Sequence, residues 1–352
     1  MSEPVPNLEG GGAPMGVSRG RVIVVFALIA TLLISAGAAY VALKPSSVPI
    51  SVAGSTLANC SASDNGVCVA STAIEIAKEK GPAEGLKAVR IVLETRQDLL
   101  QGCHIIAHEV GKRFLATFGD EAIIPDNDWC SFGYYHGLLT SYGLGHIDGL
   151  VDFAIKVCSS IEQTPSKDCM HGLGHASYVA TGSLRGAMEF CEKLDKMYAP
   201  TCADAVIMED MFASKNGRMV TSFSPEDCLS FENISVQAGC ARGLTAELAI
   251  QGLDLGDSCG IYKGSTYSYC ADGFGSSLAG NYLSGFASAT PTQLESCALD
   301  LACSKGFGWI SFMYQVDLQA SESVCREVMA GANVEGCLSS TREASKHEQL
   351  NR

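Results

Sequence analysis

Apolar residues recur at intervals of three and four along most of this chain, the spacing of one buried face of an α-helix. Segments such as LVDFAIKVCSSI (150–161) and LRGAMEFCEKLDKMY (184–198) carry that spacing and end near a cysteine. A short polar loop with Pro165 or Pro200 then leads to a second cysteine and a new helix. Val22 to Leu43 breaks the pattern as an uncharged apolar run of 22 residues, long enough to cross a bilayer as one helix. Arg19 and Arg21 before it and Lys44 after it favour a cytoplasmic N-terminus and an extracytoplasmic remainder. The small residues Ser35-Ala36-Gly37-Ala38-Ala39 keep a cleaved signal peptide, and so a secreted protein, as the rival reading.

Sixteen cysteines in an exported chain read as disulfides before thiol chemistry. In chain order they form eight neighbouring pairs: Cys60 with Cys68, Cys103 with Cys130, Cys158 with Cys169, Cys191 with Cys202, Cys228 with Cys240, Cys259 with Cys270, Cys297 with Cys303, and Cys325 with Cys337. No C-x-x-C occurs, so neither a zinc ribbon nor a thioredoxin-type redox pair is available. Spacing alone leaves the connectivity open.

The second cysteine of a pair opens a recurring phrase, as in Cys130-Ser-Phe-Gly133, Cys169-Met-His-Gly172, Cys240-Ala-Arg-Gly243 and Cys270-Ala-Asp-Gly273. Including Cys202 and Cys303, successive openings lie 39, 33, 38, 30 and 33 residues apart. That period belongs to helix-hairpin repeats, in which each unit stacks on the last because it cannot bury its own apolar face. The expected fold is all-α: disulfide-stapled helix-hairpin repeats of about 30–39 residues, forming a solenoid or a closed α/α toroid after a single N-terminal transmembrane helix. The expected layout is a cytoplasmic tail 1–21, a signal anchor 22–43, a linker 44–55, the repeat domain 56–340 and a polar tail 341–352.

Tyr-His-Gly and Cys-x-His-Gly phrases on glycine-marked helices are superficially similar to those of the lanthionine-cyclase toroids, and the tied hairpins are similar to secreted Sel1-like repeats. The cyclases hold zinc through cysteine thiolates, whereas Cys169 reads as bridged, and the Sel1-like consensus is not in register. Neither resemblance assigns a family.

Composition narrows the partners. Lys and Arg number 24 against 38 Asp and Glu, a formal charge of −14, which opposes binding to a phosphate backbone and excludes nucleic acid as a partner. There is no G-x-S-x-G, Walker loop, G-x-G-x-x-G or H-E-x-x-H. Asn59-Cys-Ser61 and Asn233-Ile-Ser235 are glycosylation sequons in a host that has that machinery.

The second and sixth residues after each repeating cysteine share a helical face. They are Phe132 and His136, His171 and His175, Asp204 and Met208, Arg242 and Ala246, Asp272 and Ser276, and Lys305 and Trp309, with His104 and His108 from a shifted first copy. His104 with His108 and His171 with His175 are H-x-x-x-H pairs, whose imidazoles a single metal can bridge. With sulfur tied up, His104, His108, His136, His171 and His175 are the candidate ligands of a transition metal ion, and zinc, copper and iron remain open. Glu109 and Glu209 are candidate catalytic bases for water activation, while a larger His site suits oxygen chemistry. Asp204, Arg242, Asp272, Lys305 and Trp309 are candidate substrate-binding residues, for a small molecule or an exported peptide. Met208 is weighed as a soft ligand against a core methionine, Tyr134 and Tyr135 as gate or radical carriers against packing residues, His146 as ligand against surface residue, and His347 as a solvated tail residue. A membrane-anchored metal-dependent enzyme, oxidative or hydrolytic, leads; a metal carrier or an interaction scaffold is the alternative.

Overall fold

Polar residues stand where helices start. Ser166, Ser183, Asn233, Asp254 and Asp317 each accept a backbone N–H of the first turn, and Ser224 with Asp227 and Thr290 with Gln293 form capping boxes ahead of Pro225 and Pro291. In this computed structural model the described residues are 60, 66–100, 102–125, 129–160, 166–213, 221–284, 289–315, 317–329 and 333–350. They are all-helical, with no strand among them. No helix among them is long and apolar enough to cross a membrane, and the expected anchor at 22–43, with the tail and linker beside it, lies outside them.

After α1 (Val67–Lys80) and α2 (Pro82–Thr95), the long helices are α3 (Cys103–Phe118), α4 (Gly133–Gly143), α5 (Lys167–Thr181), α6 (Ala199–Ala213), α7 (Ile234–Ile250), α8 (Gly264–Ser284), α9 (Leu301–Gln315) and α10 (Val334–Leu350). From α3 to α10 each packs on the next in chain order, and α1 packs on both α2 and α3. Short helices such as Leu150–Cys158, Leu184–Cys191 and Leu318–Val328 each lie against the two long helices they connect. The stretch expected as a polar tail is for the most part the second half of α10.

Close approach between long helices needs glycine. A methyl group on Gly306 of α9 would overlap the Asp272 carbonyl of α8, and one on Gly308 would overlap the Cys337 carbonyl of α10. Two glycines on opposite faces thus let one helix touch both neighbours through backbone.

All eight disulfides join the neighbouring cysteines, with no free cysteine among the described residues. Six of them tie a short helix to the early turns of the following long one, at Cα separations of 5.1 to 5.8 Å. Five of these bridges close spans of 11 or 12 residues. Loss of chain entropy in the unfolded state makes each such bridge worth about 3 kcal/mol. The cysteines of these six bridges lie in the core; Cys158, Cys169, Cys191 and Cys202 are fully buried among Leu173, Met188, Val206 and their neighbours.

Candidate functional site

Three successive helices bring five imidazoles together. α3 carries His104 and His108, α4 carries His136, and α5 carries His171 and His175, each pair four residues apart on one face. His136 is central, its ring centre 5.3 Å from that of His104, 6.4 Å from His108, 5.4 Å from His171 and 5.7 Å from His175. His171 and His175 are 5.0 Å apart, which closes a triangle with His136. His108 lies 5.6 Å from His175 and 6.3 Å from His104. Gly172 makes room for this packing, since a Cβ there would crowd the Cα and ring of His136. His136 and His175 are buried; the other three are half-buried.

Each ring has one nitrogen turned to a neighbour. His104 Nδ1 lies 2.9 Å from the Cys130 carbonyl and His136 Nε2 lies 2.7 Å from that of Asp168, so those nitrogens donate. His175 Nδ1 donates to Glu209 Oε2 of α6 at 2.8 Å. His108 Nε2 and His171 Nδ1 lie 3.5 Å from threonine hydroxyls, those of Thr140 and Thr201. The Cys130 carbonyl is presented by a left-handed turn in which Cys130, Ser131 and Phe132 have φ of 55°, 53° and 61°. Two ring nitrogens, His136 Nδ1 and His175 Nε2, are buried with no hydrogen-bond partner. A buried nitrogen with no partner forfeits its solvation, so two in one cluster ask for an explanation.

Burial dominates the electrostatics. It drives His108 and His175 down to about 3, lowers His104, and holds His136 and His171 well below the ordinary imidazole value, with the rings disfavouring each other's charge. The cluster is neutral at pH 7 and offers lone pairs. Burial raises the Glu209 carboxyl, against the opposing pull of His108 and Lys112.

The remaining candidates separate from this group. Glu109 is ion-paired with Arg113 one turn along α3. Arg242 is held between Asp204, at 3.4 Å, and Asp272, and donates to Ser276 Oγ at 3.5 Å. Desolvation raises Asp204 despite that arginine. Lys305 is exposed and Trp309 half-buried on α9. Met208 packs against the hydrophobic core, while the adjacent Glu209 reaches His175. Tyr134 and Tyr135 are fully buried and give their hydroxyl protons to the Ala122 and Ile124 carbonyls, as packing residues do. His146 is exposed beside Tyr142, and the side chain of His347 lies outside those described. A surface depression of about 270 Å³ between Ile147, Asp148, Val151, Phe190 and Lys193 is lined by none of the five histidines.

Sequence reasoning took Glu209 for a base and missed its role as a histidine partner. The available signal was a consecutive Glu209-Asp210 pair inside an otherwise apolar stretch of α6, AVIMEDMFA. Among the described residues no three His, Cys, Asp or Glu side chains stand ready as a metal cage; the rings adjoin without all pointing at one centre. Comparison with protein-family models, with curated proteins and with solved structures returns no match.

Proposed function

We propose that this chain is a membrane-anchored, extracytoplasmic protein whose helix hairpins stack as a solenoid or toroid, and that its histidine cluster binds a transition metal ion, zinc, copper or iron. The reading is carried by one observation, the two buried and unpartnered nitrogens of His136 and His175 within a ring triangle completed by His171. A histidine nitrogen binds zinc at about 2.0–2.1 Å, so each ring centre sits roughly 3.2 Å from the ion and two rings at a tetrahedral angle lie about 5.2 Å apart. The triangle's edges of 5.0, 5.4 and 5.7 Å bracket that figure. His104, 5.3 Å from His136, and His108, 5.6 Å from His175, meet the same spacing with one member of the triangle each, so they border the centre as further candidate ligands. Binding would require the rings to turn on their side-chain torsions.

A bound ion would supply Lewis acidity or, for copper or iron, redox chemistry. Oxidative enzyme chemistry is favoured over hydrolysis because both candidate bases are engaged, Glu109 by Arg113 and Glu209 by His175. Lys305, exposed on α9, is the side chain proposed to hold a small molecule or an exported peptide, since Asp204, Arg242 and Asp272 neutralise one another. Elemental analysis of the detergent-purified full chain, beside His136→Gln/His175→Gln, tests the proposal. Stoichiometric metal in the parent and none in a variant with unchanged helical circular dichroism is expected. No metal in the parent after incubation with each ion would overturn it and leave an interaction scaffold.

A further inference from the structure

We infer that Glu209 is a positioning residue of this centre: its carboxylate, at 2.8 Å from the rear nitrogen of His175, sets the tautomer and donor strength of the nitrogen left free to bind metal. The inference rests on the metal reading. A carboxylate only accepts, so the proton of the neutral His175 ring stands on Nδ1 and the lone pair on Nε2. Nε2 is one of the two unpartnered buried nitrogens. A carboxylate behind an imidazole fixes the ring and raises the basicity of its front nitrogen. Among the described hydrogen bonds of the five rings, the other partners are neutral, namely the Cys130 and Asp168 carbonyls and the Thr140 and Thr201 hydroxyls. Glu209 therefore brings the one negative charge hydrogen-bonded to these rings, next to where a divalent cation would sit.

The neighbouring residue supplies an internal control. Asp210 accepts from Tyr178 Oη at 2.8 Å, from Thr221 Oγ1 at 2.7 Å and from the Ser222 N–H at 3.1 Å. Two consecutive carboxylates of α6 thus tie the same neighbouring helix, α5, one through a candidate ligand and the other through a tyrosine. If helix docking alone matters, the two ties are interchangeable; if the carboxylate–imidazole pair matters, only Glu209 affects the metal.

The test is zinc affinity of the full chain in detergent, by competition with a chromophoric chelator, for the parent, Glu209→Gln, Glu209→Asp and Tyr178→Phe. Glu209→Gln is expected to bind zinc 10- to 100-fold more weakly, the usual cost of losing an outer-shell partner. Glu209→Asp, which keeps the charge, recovers part of the loss, and Tyr178→Phe binds as the parent does. Circular dichroism of the metal-free proteins checks that all are folded. Unchanged affinity in Glu209→Gln, or an equal loss in Tyr178→Phe, overturns the assignment while leaving the metal site standing. A parent that takes up no zinc, copper or iron removes the metal reading itself, and Glu209 with it.

Discussion

The histidine-bearing helices α3 to α5 and the later helices α7 to α10 use the same kind of packing yet treat their buried polar groups differently. In the later half, the lone hydroxyl of Ser258 apart, no described buried side-chain N or O lacks a partner. Arg242 lies between two carboxylates, and Thr245, Ser277, Ser311 and Thr341 return their protons to carbonyls of their own helices. In the earlier half two imidazole nitrogens are sealed from water with no partner. The third such atom, Ser258 Oγ, is an isolated hydroxyl in the short helix Leu255–Cys259. Saturated polar groups read as stabilising scaffold; clustered, unsaturated and neutral ones read as a site.

The strongest way to break this contrast is to swap the defects. Arg242→Met leaves Asp204 and Asp272 without their shared cation, and is expected to cost about 2–3 kcal/mol in urea unfolding, less than the roughly 3–5 kcal/mol of a fully buried broken pair because the groups are partly exposed. Metal content should not change. A loss of metal in that variant would join the two halves into one site.

Acid sharpens the contrast next. Because burial depresses the imidazoles below their unfolded value near 6.5, the unfolded chain binds protons that the folded chain refuses. Their contribution is fully present above about pH 6.5 and is lost as the pH falls toward about 3, the value for His108 and His175. Each ring contributes up to about 1.4 kcal/mol per pH unit in that window. Denaturant midpoints of the metal-free protein between pH 7 and 4 should show this slope, flattened in His136→Gln/His175→Gln; an equal slope in the variant would place the acid lability elsewhere. The smallest effect belongs to Lys305→Ala, an exposed site with an expected change within about 0.5 kcal/mol and no effect on metal. A larger loss of stability would assign that lysine to the scaffold.

The helical fold and the cysteine pairing are legible in the sequence because both are local. Capping residues, apolar spacing and partners such as Cys191 and Cys202 lie within a few turns of each other. The meeting of His136 and His175 is legible too, since both stand six residues after a repeating cysteine and so at equivalent places on neighbouring helices, while His104 and His108 come from a copy shifted by one residue. What joins residues across helices is not. Whether position 208 or 209 faces His175 depends on a rotation of α6 that no single-helix period fixes; Met208 takes the core place weighed for it, and Glu209, expected as a base, is the residue that reaches His175. The left-handed turn at Cys130 to Phe132 uses no glycine, so it leaves no signal in the chain.

The disulfides have one further consequence. Every bridge closes between cysteines adjacent in chain order, most within 12 residues. If the cysteine-bearing region enters an oxidising compartment in chain order, each pair can close before the next pair arrives. The number of wrong pairings, which grows steeply with cysteine count, then never becomes available, and correct oxidation follows from the order of emergence rather than from later reshuffling.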